Sequence, residues 1–190
     1  MSEQFIHWIE GMLPVSAELK NALEAVITII SVPKKHKLLR PRQQHDHVYF
    51  VLNGLVCGYT KHQGKEQIRW FRRENEPVAC LPRSHGNNVS CEYIATMEPC
   101  RLAAIPAAAY HELTLRFPEL LTIDTLLLQK QLAEISAYTN MLKLPVKERY
   151  RYFEKHYHDL LGRIAQKHIA SFLHTTPETI SRIRAGKYPA

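Results

Sequence analysis

The segment from Arg163 to Gly186, RIAQKHIASFLHTTPETISRIRAG, constrains this chain more than any other. Ile169, Phe172 and Leu173 recur at i, i+3 and i+4, which predicts a short amphipathic helix over 166–173. His174-Thr175 interrupts the pattern. Thr176-Pro177 is a helix start signal: a hydroxyl to cap free backbone N–H groups, then a proline at the first helical position, where its missing donor costs nothing. Glu178 in the first turn suits the helix dipole. Ile180 and Ile183 are three apart and face inward, leaving Glu178, Thr179, Ser181, Arg182 and Arg184 outward. Two such helices across a tight turn make a helix-turn-helix, whose second helix presents polar and cationic side chains to base edges and phosphates in a major groove. A plain helical hairpin with a solvated polar face satisfies the same periodicity. The order of apolar and polar positions favours the first reading.

Charge supports it. The net charge of +7 over 190 residues is unevenly spread. Residues 1–139 balance to +1 and residues 140–190 to +6, so the excess sits beside the helix-turn-helix and suggests a polyanionic partner there. A hydrophobic content of 45% is enough for a core. The start, MSEQFIHWIEGML, has no basic stretch ahead of its apolar residues, no run reaches the length of a membrane span, and the expected location is cytoplasmic. Cys57, Cys80, Cys91 and Cys100 form no Cys-x-x-Cys pair and are expected to be reduced and mostly buried.

Ahead of that segment, residues 5–26 read as helical with a break near Pro14 and a cap at Ser16. From Thr28 to Ile105 the pattern changes to short strands, including Val48–Leu52, Leu55–Thr60, Glu66–Arg72, Pro77–Leu81, Tyr93–Thr96 and Arg101–Ile105. Gln63-Gly64 is a hairpin turn. Strands at this spacing predict a small roll, barrel or sandwich. Pro106 opens a helix to Arg116, and a long helix runs from Glu119 to Met141. Its apolar residues exceed one face, so a second stripe must be buried, either against another subunit or inside a monomeric core. The residues assigned to the subunit interface are Leu120, Leu127, Leu128, Gln131, Ile135 and Tyr138. Lys143–Val146 is a hinge, and Lys147–Tyr157 a basic amphipathic helix.

The order of strands, long helix and helix-turn-helix, with YFVLNGLV at 49–56, Gly64-Lys-Glu, Lys147-x-Arg149-Tyr and IASFLHTTPETISR at 169–182, resembles the Crp/Fnr family of bacterial transcription regulators. The resemblance implies an α+β chain: an N-terminal cyclic-nucleotide-binding-like β-roll (a double-stranded β-helix) over 1–118, a long dimerisation helix and hinge over 119–143, and a helix-turn-helix domain over 144–190. It implies a homodimer on palindromic double-stranded DNA, with RNA polymerase and an unidentified small-molecule effector as further partners. Thr176 matches the cap that touches phosphate, Glu178 the residue that accepts from a cytosine amino group, Thr179 a family threonine, and Arg182 the arginine that reads guanine or braces the backbone. Gln166 and Lys167 match phosphate-contacting positions, and Thr175, Ser181 and Arg184 complete the set of DNA-binding candidates. Pro177 stands where some members carry a base-reading arginine. Only Lys187-Tyr-Pro-Ala follows Gly186, so the usual β-hairpin wing is expected to be missing.

The same comparison argues against cyclic AMP. If Ser90 aligns with the phosphate-binding serine, its partner arginine is Val89, and the Gly-Glu segment is Val78–Leu81, with neither a glycine nor an acid. Arg83, Ser84, Val89 and Ser90 are the remaining effector-pocket candidates. The cysteine spacings are not those of iron–sulfur ligands, and no cofactor is assigned. His45-x-His47 places two imidazoles on one side of a strand, but no carboxylate follows at 51 or 52, so no metal site is assigned. No nucleophile elbow, phosphate loop or His-Glu-x-x-His is present, so no enzyme is expected. The alternative reading is a ligand- or metal-sensing β-roll whose C-terminal helices serve protein contacts.

Overall fold

The computed structural model describes residues 3–78, 90 and 92–188. The chain forms two compact units: Met1–Tyr59 with Trp70–Leu128, and Thr60–Arg69 with Gln129–Ala190. The boundary between the units falls inside the long helix, and the tip of one β-hairpin goes with the C-terminal helices.

The first unit opens with α1 (Glu3–Glu10) and α2 (Ala17–Val26), separated at Pro14. Ser16 caps α2 by accepting a 3.3 Å hydrogen bond from the Leu19 N–H. Among the described residues, seven antiparallel strands follow: β1 (Thr28–Val32), β2 (Lys37–Leu39), β3 (His47–Asn53), β4 (Val56–His62), β5 (Lys65–Arg72), β6 (Tyr93–Thr96) and β7 (Cys100–Pro106). They form a three-stranded sheet, β1-β7-β3, and a four-stranded sheet, β2-β6-β4-β5. The unbroken apolar run of β3 has a reason: both of its faces are covered. Val48, Phe50 and Leu52 face a helical layer, while Tyr49 and Val51 face the space between the sheets. β7 divides likewise, with Ala103 and Ile105 toward the helices and Leu102 toward the other sheet. Gly54, at φ +107°, turns the chain against β7. A side chain there would meet the Cys100 Sγ at 2.6 Å and the Pro99 carbonyl at 2.8 Å.

Pro106 precedes α3 (Ala107–Arg116), and α4 runs from Pro118 to Leu142. The Tyr110 hydroxyl ties α3 to α4 by donating a 2.6 Å hydrogen bond to Asp124. Here one sequence expectation is corrected. Leu120, assigned to the subunit interface, is fully enclosed with Phe117 and Ile123 in the core under α1 and α2. The exposed large apolar residues of α4 are Leu121, Leu126, Leu128, Leu132 and Ile135. Four of them, at 121, 128, 132 and 135, lie on a seam of alternating four- and three-residue steps, with Thr125 and Thr139 filling the remaining steps. Of the assigned interface set, Leu128 and Ile135 lie on this seam. Leu127 packs on the first unit's core, Gln131 is half-buried, and Tyr138 packs on Phe172.

The second unit holds α5 (Val146–His156), a 3₁₀ turn at His158–Leu160 that the sequence did not signal, α6 (Gln166–Phe172) and α7 (Pro177–Arg184). Phe153, Leu160, Ile169, Phe172, Leu173 and Ile180 are buried in it. Phe172 is central: the rings of Phe153, Tyr157 and Tyr138 lie 5.8, 5.4 and 4.8 Å from it.

Candidate nucleic-acid interface

The expected helix-turn-helix is α6 and α7. Ile169, Ala170, Phe172 and Leu173 of α6 and Ile180 of α7 are buried, as the apolar spacing requires. Thr176 caps α7: its Oγ1 accepts from the Thr179 N–H at 3.2 Å, with Pro177 at the first position. The Gln166 side-chain amide donates to the Pro177 carbonyl and so joins the starts of the two helices.

Opposite Ile180, the side chains of Glu178, Ser181 and Arg182 are exposed at i, i+3 and i+4 on one face of α7. Glu178 is held below the usual carboxylate range by its own backbone N–H, by the Thr176 hydroxyl and by Arg182 one turn on. It is therefore an anionic acceptor beside a cationic donor. Thr179 and Thr175 are half-buried, and Lys167 is exposed at the start of α6. Arg184 is exposed but stands apart from that face, close enough to Tyr150 of α5 to act on its phenol.

The turn between the helices is braced in a way that periodicity did not signal. A helix ends in carbonyls without helical partners, and here side chains from three other elements supply donors. The Gln67 amide, from the β4–β5 hairpin, donates to the Ser171 carbonyl. The Tyr138 hydroxyl, from α4, donates to the Phe172 carbonyl at 3.0 Å. The Arg149 guanidinium, from α5, donates to the Leu173 carbonyl at 2.7 Å and to the Leu144 carbonyl at 2.8 Å. Ser171 fixes the hairpin in turn, accepting from the Ile68 N–H at 2.9 Å and donating to the Glu66 carbonyl at 2.7 Å. His174 takes the left-handed conformation at φ 52°, with its Nε2 3.2 Å from the Tyr138 hydroxyl. Burial lowers its pKa, and Arg69 and Arg149 lower it further, which favours the neutral ring.

Of the effector candidates, Arg83, Ser84 and Val89 lie outside the described residues, as does the end of the expected strand at 77–81. Pro77 itself makes an isolated bridge to Phe50. Ser90 is buried, and its hydroxyl is engaged by the Glu92 backbone, donating to the carbonyl at 2.8 Å and accepting from the N–H at 3.1 Å. Trp70 packs against the core between the sheets and lies so close over Gly58 that a Cβ there would sit 2.1 Å from its ring. Its indole N–H donates to Glu92 at 2.9 Å. Among the described residues, no group of three His, Cys, Asp or Glu side chains comes together as a metal set, and no helix is long and apolar enough to cross a membrane.

The chain is thus a β-roll followed by one long helix and a helix-turn-helix. Solved structures share that architecture. FixK2 from Bradyrhizobium japonicum superposes with a TM-score of 0.74 at 16% identity, covering 85% of this chain and 84% of that one. A Crp/Fnr-family transcriptional regulator from Eubacterium rectale gives 0.72 at 16%, over 90% and 83%. The c-di-GMP-responsive global regulator CLP from Xanthomonas campestris gives 0.71 at 18%, over 90% and 91%. The chain has the fold of the Crp/Fnr regulators. No protein-family model and no curated protein matches its sequence.

Proposed function

We propose that this chain is a DNA-binding transcription regulator of the Crp/Fnr type, not an enzyme. It acts as a homodimer that reads a palindromic promoter site with one α7 per subunit, under an effector other than cyclic AMP or under none. The observation that carries the reading is the face of α7, where Glu178, Ser181 and Arg182 stand exposed together on a helix anchored by buried Ile180. Arg182 can donate two parallel N–H bonds to a guanine, and Glu178 can accept from a cytosine amino group. Thr176, Gln166 and Lys167 supply phosphate contacts that set position without carrying sequence. The exposed seam Leu121-Leu128-Leu132-Ile135 supports the dimer, because an apolar stripe at heptad spacing on a 25-residue helix is what a parallel partner helix covers. Trp70, packed against the core between the sheets, and Ser90, turned onto its own loop, support an effector other than cyclic AMP.

Selection of random duplexes on the purified protein tests the reading. An enriched palindrome, bound with an affinity that falls steeply with salt, is expected. Arg182→Ala should cost about 1–3 kcal/mol on that duplex and relax one base position in each half-site. Unchanged binding by the variant would remove α7 as the reader.

A further inference from the structure

The first unit carries a cavity of about 660 Å³ that the regulator reading does not use. It lies between β2, the connection 40–46 and the start of β3, with Ile94 of β6 behind it. Its volume falls within the range of about 300–1,000 Å³ that takes a small organic ligand. Its wall is preformed, because the connection is tied at several points. The Arg40 N–H donates to the Gln43 side-chain oxygen at 2.9 Å. The Arg42 N–H donates to the Ser90 carbonyl at 2.9 Å, the Ser90 N–H to the Gln43 carbonyl at 3.0 Å, and the Ala107 N–H to the Asp46 carbonyl at 2.8 Å.

The lining divides by chemistry. Leu39 and Ile94, both buried, give an apolar floor. His47 and Tyr49 lie two apart on β3 and so on one face, and their rings stack 5.7 Å apart at 24°, giving an aromatic wall. Lys37 and Arg40 are exposed cations at the rim, and the Lys37 ammonium is steadied 5.5 Å over the Tyr93 ring. They belong to a stretch with five cations (Lys34, Lys35, Lys37, Arg40 and Arg42) and no acid from Ala25 to His45, which makes the local field positive. Asp46 is the lone carboxylate of the lining, near enough to Tyr49 and His45 to act on both. Burial lowers the His45 pKa against the opposing pull of Asp46, which favours the neutral imidazole in the wall.

We propose that this cavity binds a small aromatic carboxylate carrying a hydroxyl or amino substituent. The ring lies along His47 and Tyr49 over the Leu39–Ile94 floor, the carboxylate meets Lys37 and Arg40, and the substituent donates to Asp46. A cation rim without an aromatic wall would take any small anion. An aromatic wall without the rim would take any planar ring. The two together select an anion that is also a ring. Binding here does not depend on the C-terminal helices reading DNA, so a failed titration leaves that reading untouched.

Calorimetric titration of the full chain, without DNA, compares 4-hydroxybenzoate, its neutral amide 4-hydroxybenzamide, and inorganic phosphate. 4-Hydroxybenzoate should saturate with a Kd below about 1 mM, and the amide and phosphate should each bind at least about tenfold more weakly. Lys37→Gln combined with Arg40→Gln, two exposed side chains outside the core, should reduce the carboxylate to the affinity of the amide without changing the thermal melt. Absence of saturable binding by 4-hydroxybenzoate, or unchanged affinity in the double variant, overturns the site. Phosphate binding as tightly as the carboxylate overturns the aromatic assignment.

Discussion

The Tyr138 hydroxyl donates a 3.0 Å hydrogen bond to the Phe172 carbonyl, and the two rings pack 4.8 Å apart. One side chain of α4 thus closes the open end of α6 and fills the core beneath it. Tyr138→Phe keeps the ring and removes the bond, leaving the Phe172 carbonyl without this donor. The expected cost is about 1–2 kcal/mol, read as a lower urea midpoint with an unchanged slope. An unmoved midpoint would mean that water replaces the hydroxyl at no cost.

Arg149 reaches the Leu144 carbonyl through one nitrogen and the Leu173 carbonyl, with that of His174 at 3.5 Å, through a second nitrogen of the same planar group. A lysine carries the same charge but no rigid fork. Arg149→Lys should therefore lose nearly as much stability as Arg149→Met, about 1–3 kcal/mol in each case, measured by chemical denaturation. A lysine variant as stable as the wild type would reduce the role of Arg149 to its charge.

The two faces of α4 predict opposite phenotypes. Leu132 is 66% exposed and Leu120 not at all. Leu132→Asp should convert a dimer into a folded monomer in sedimentation, with the helical circular dichroism signal kept. Leu120→Ala should cost about 2–5 kcal/mol and leave the assembly state alone. A dimer that persists in Leu132→Asp would move the interface away from the seam.

His174 gives the second unit a pH dependence of known sign. Burial first, and then Arg69 and Arg149, hold its folded pKa below the ordinary value of 6.5. The unfolded chain therefore binds the proton more readily. The stability contribution is complete above the unfolded value and is lost as pH falls from there through the lower folded value. Denaturation midpoints between about pH 7.5 and pH 5 should fall for the wild type. They should fall less for His174→Asn, a residue that tolerates the left-handed backbone. Parallel slopes would exclude His174 as the source.

Much of this was legible in the sequence. The Ser16 cap, the Thr176-Pro177 start, the Gln63-Gly64 turn and the apolar spacing of α6 and α7 act within a few residues, and the structure repeats them. The interface register on α4 was less legible. Leu120 and Leu121 are both apolar, and neighbours on a helix differ by only 100°, so a pattern rich in leucine does not say which stripe meets the sheet and which meets solvent. Packing of α3 and α4 against β3 and β7 decides it, enclosing Leu120 and leaving Leu121 out.

The residue types facing outward from α7 follow from the sequence alone, because helix phase is local once Ile180 is fixed inward. The brace on the turn does not. Gln67, Tyr138 and Arg149 lie 104, 34 and 24 positions from their partners, and nothing in the local pattern of any of their elements points to this turn. Only the folded chain brings the hairpin tip, the end of α4 and the start of α5 to the carbonyls of Ser171, Phe172 and Leu173. It does so because a short helix cannot satisfy its own last carbonyls, and donors have to come from wherever the packing delivers them.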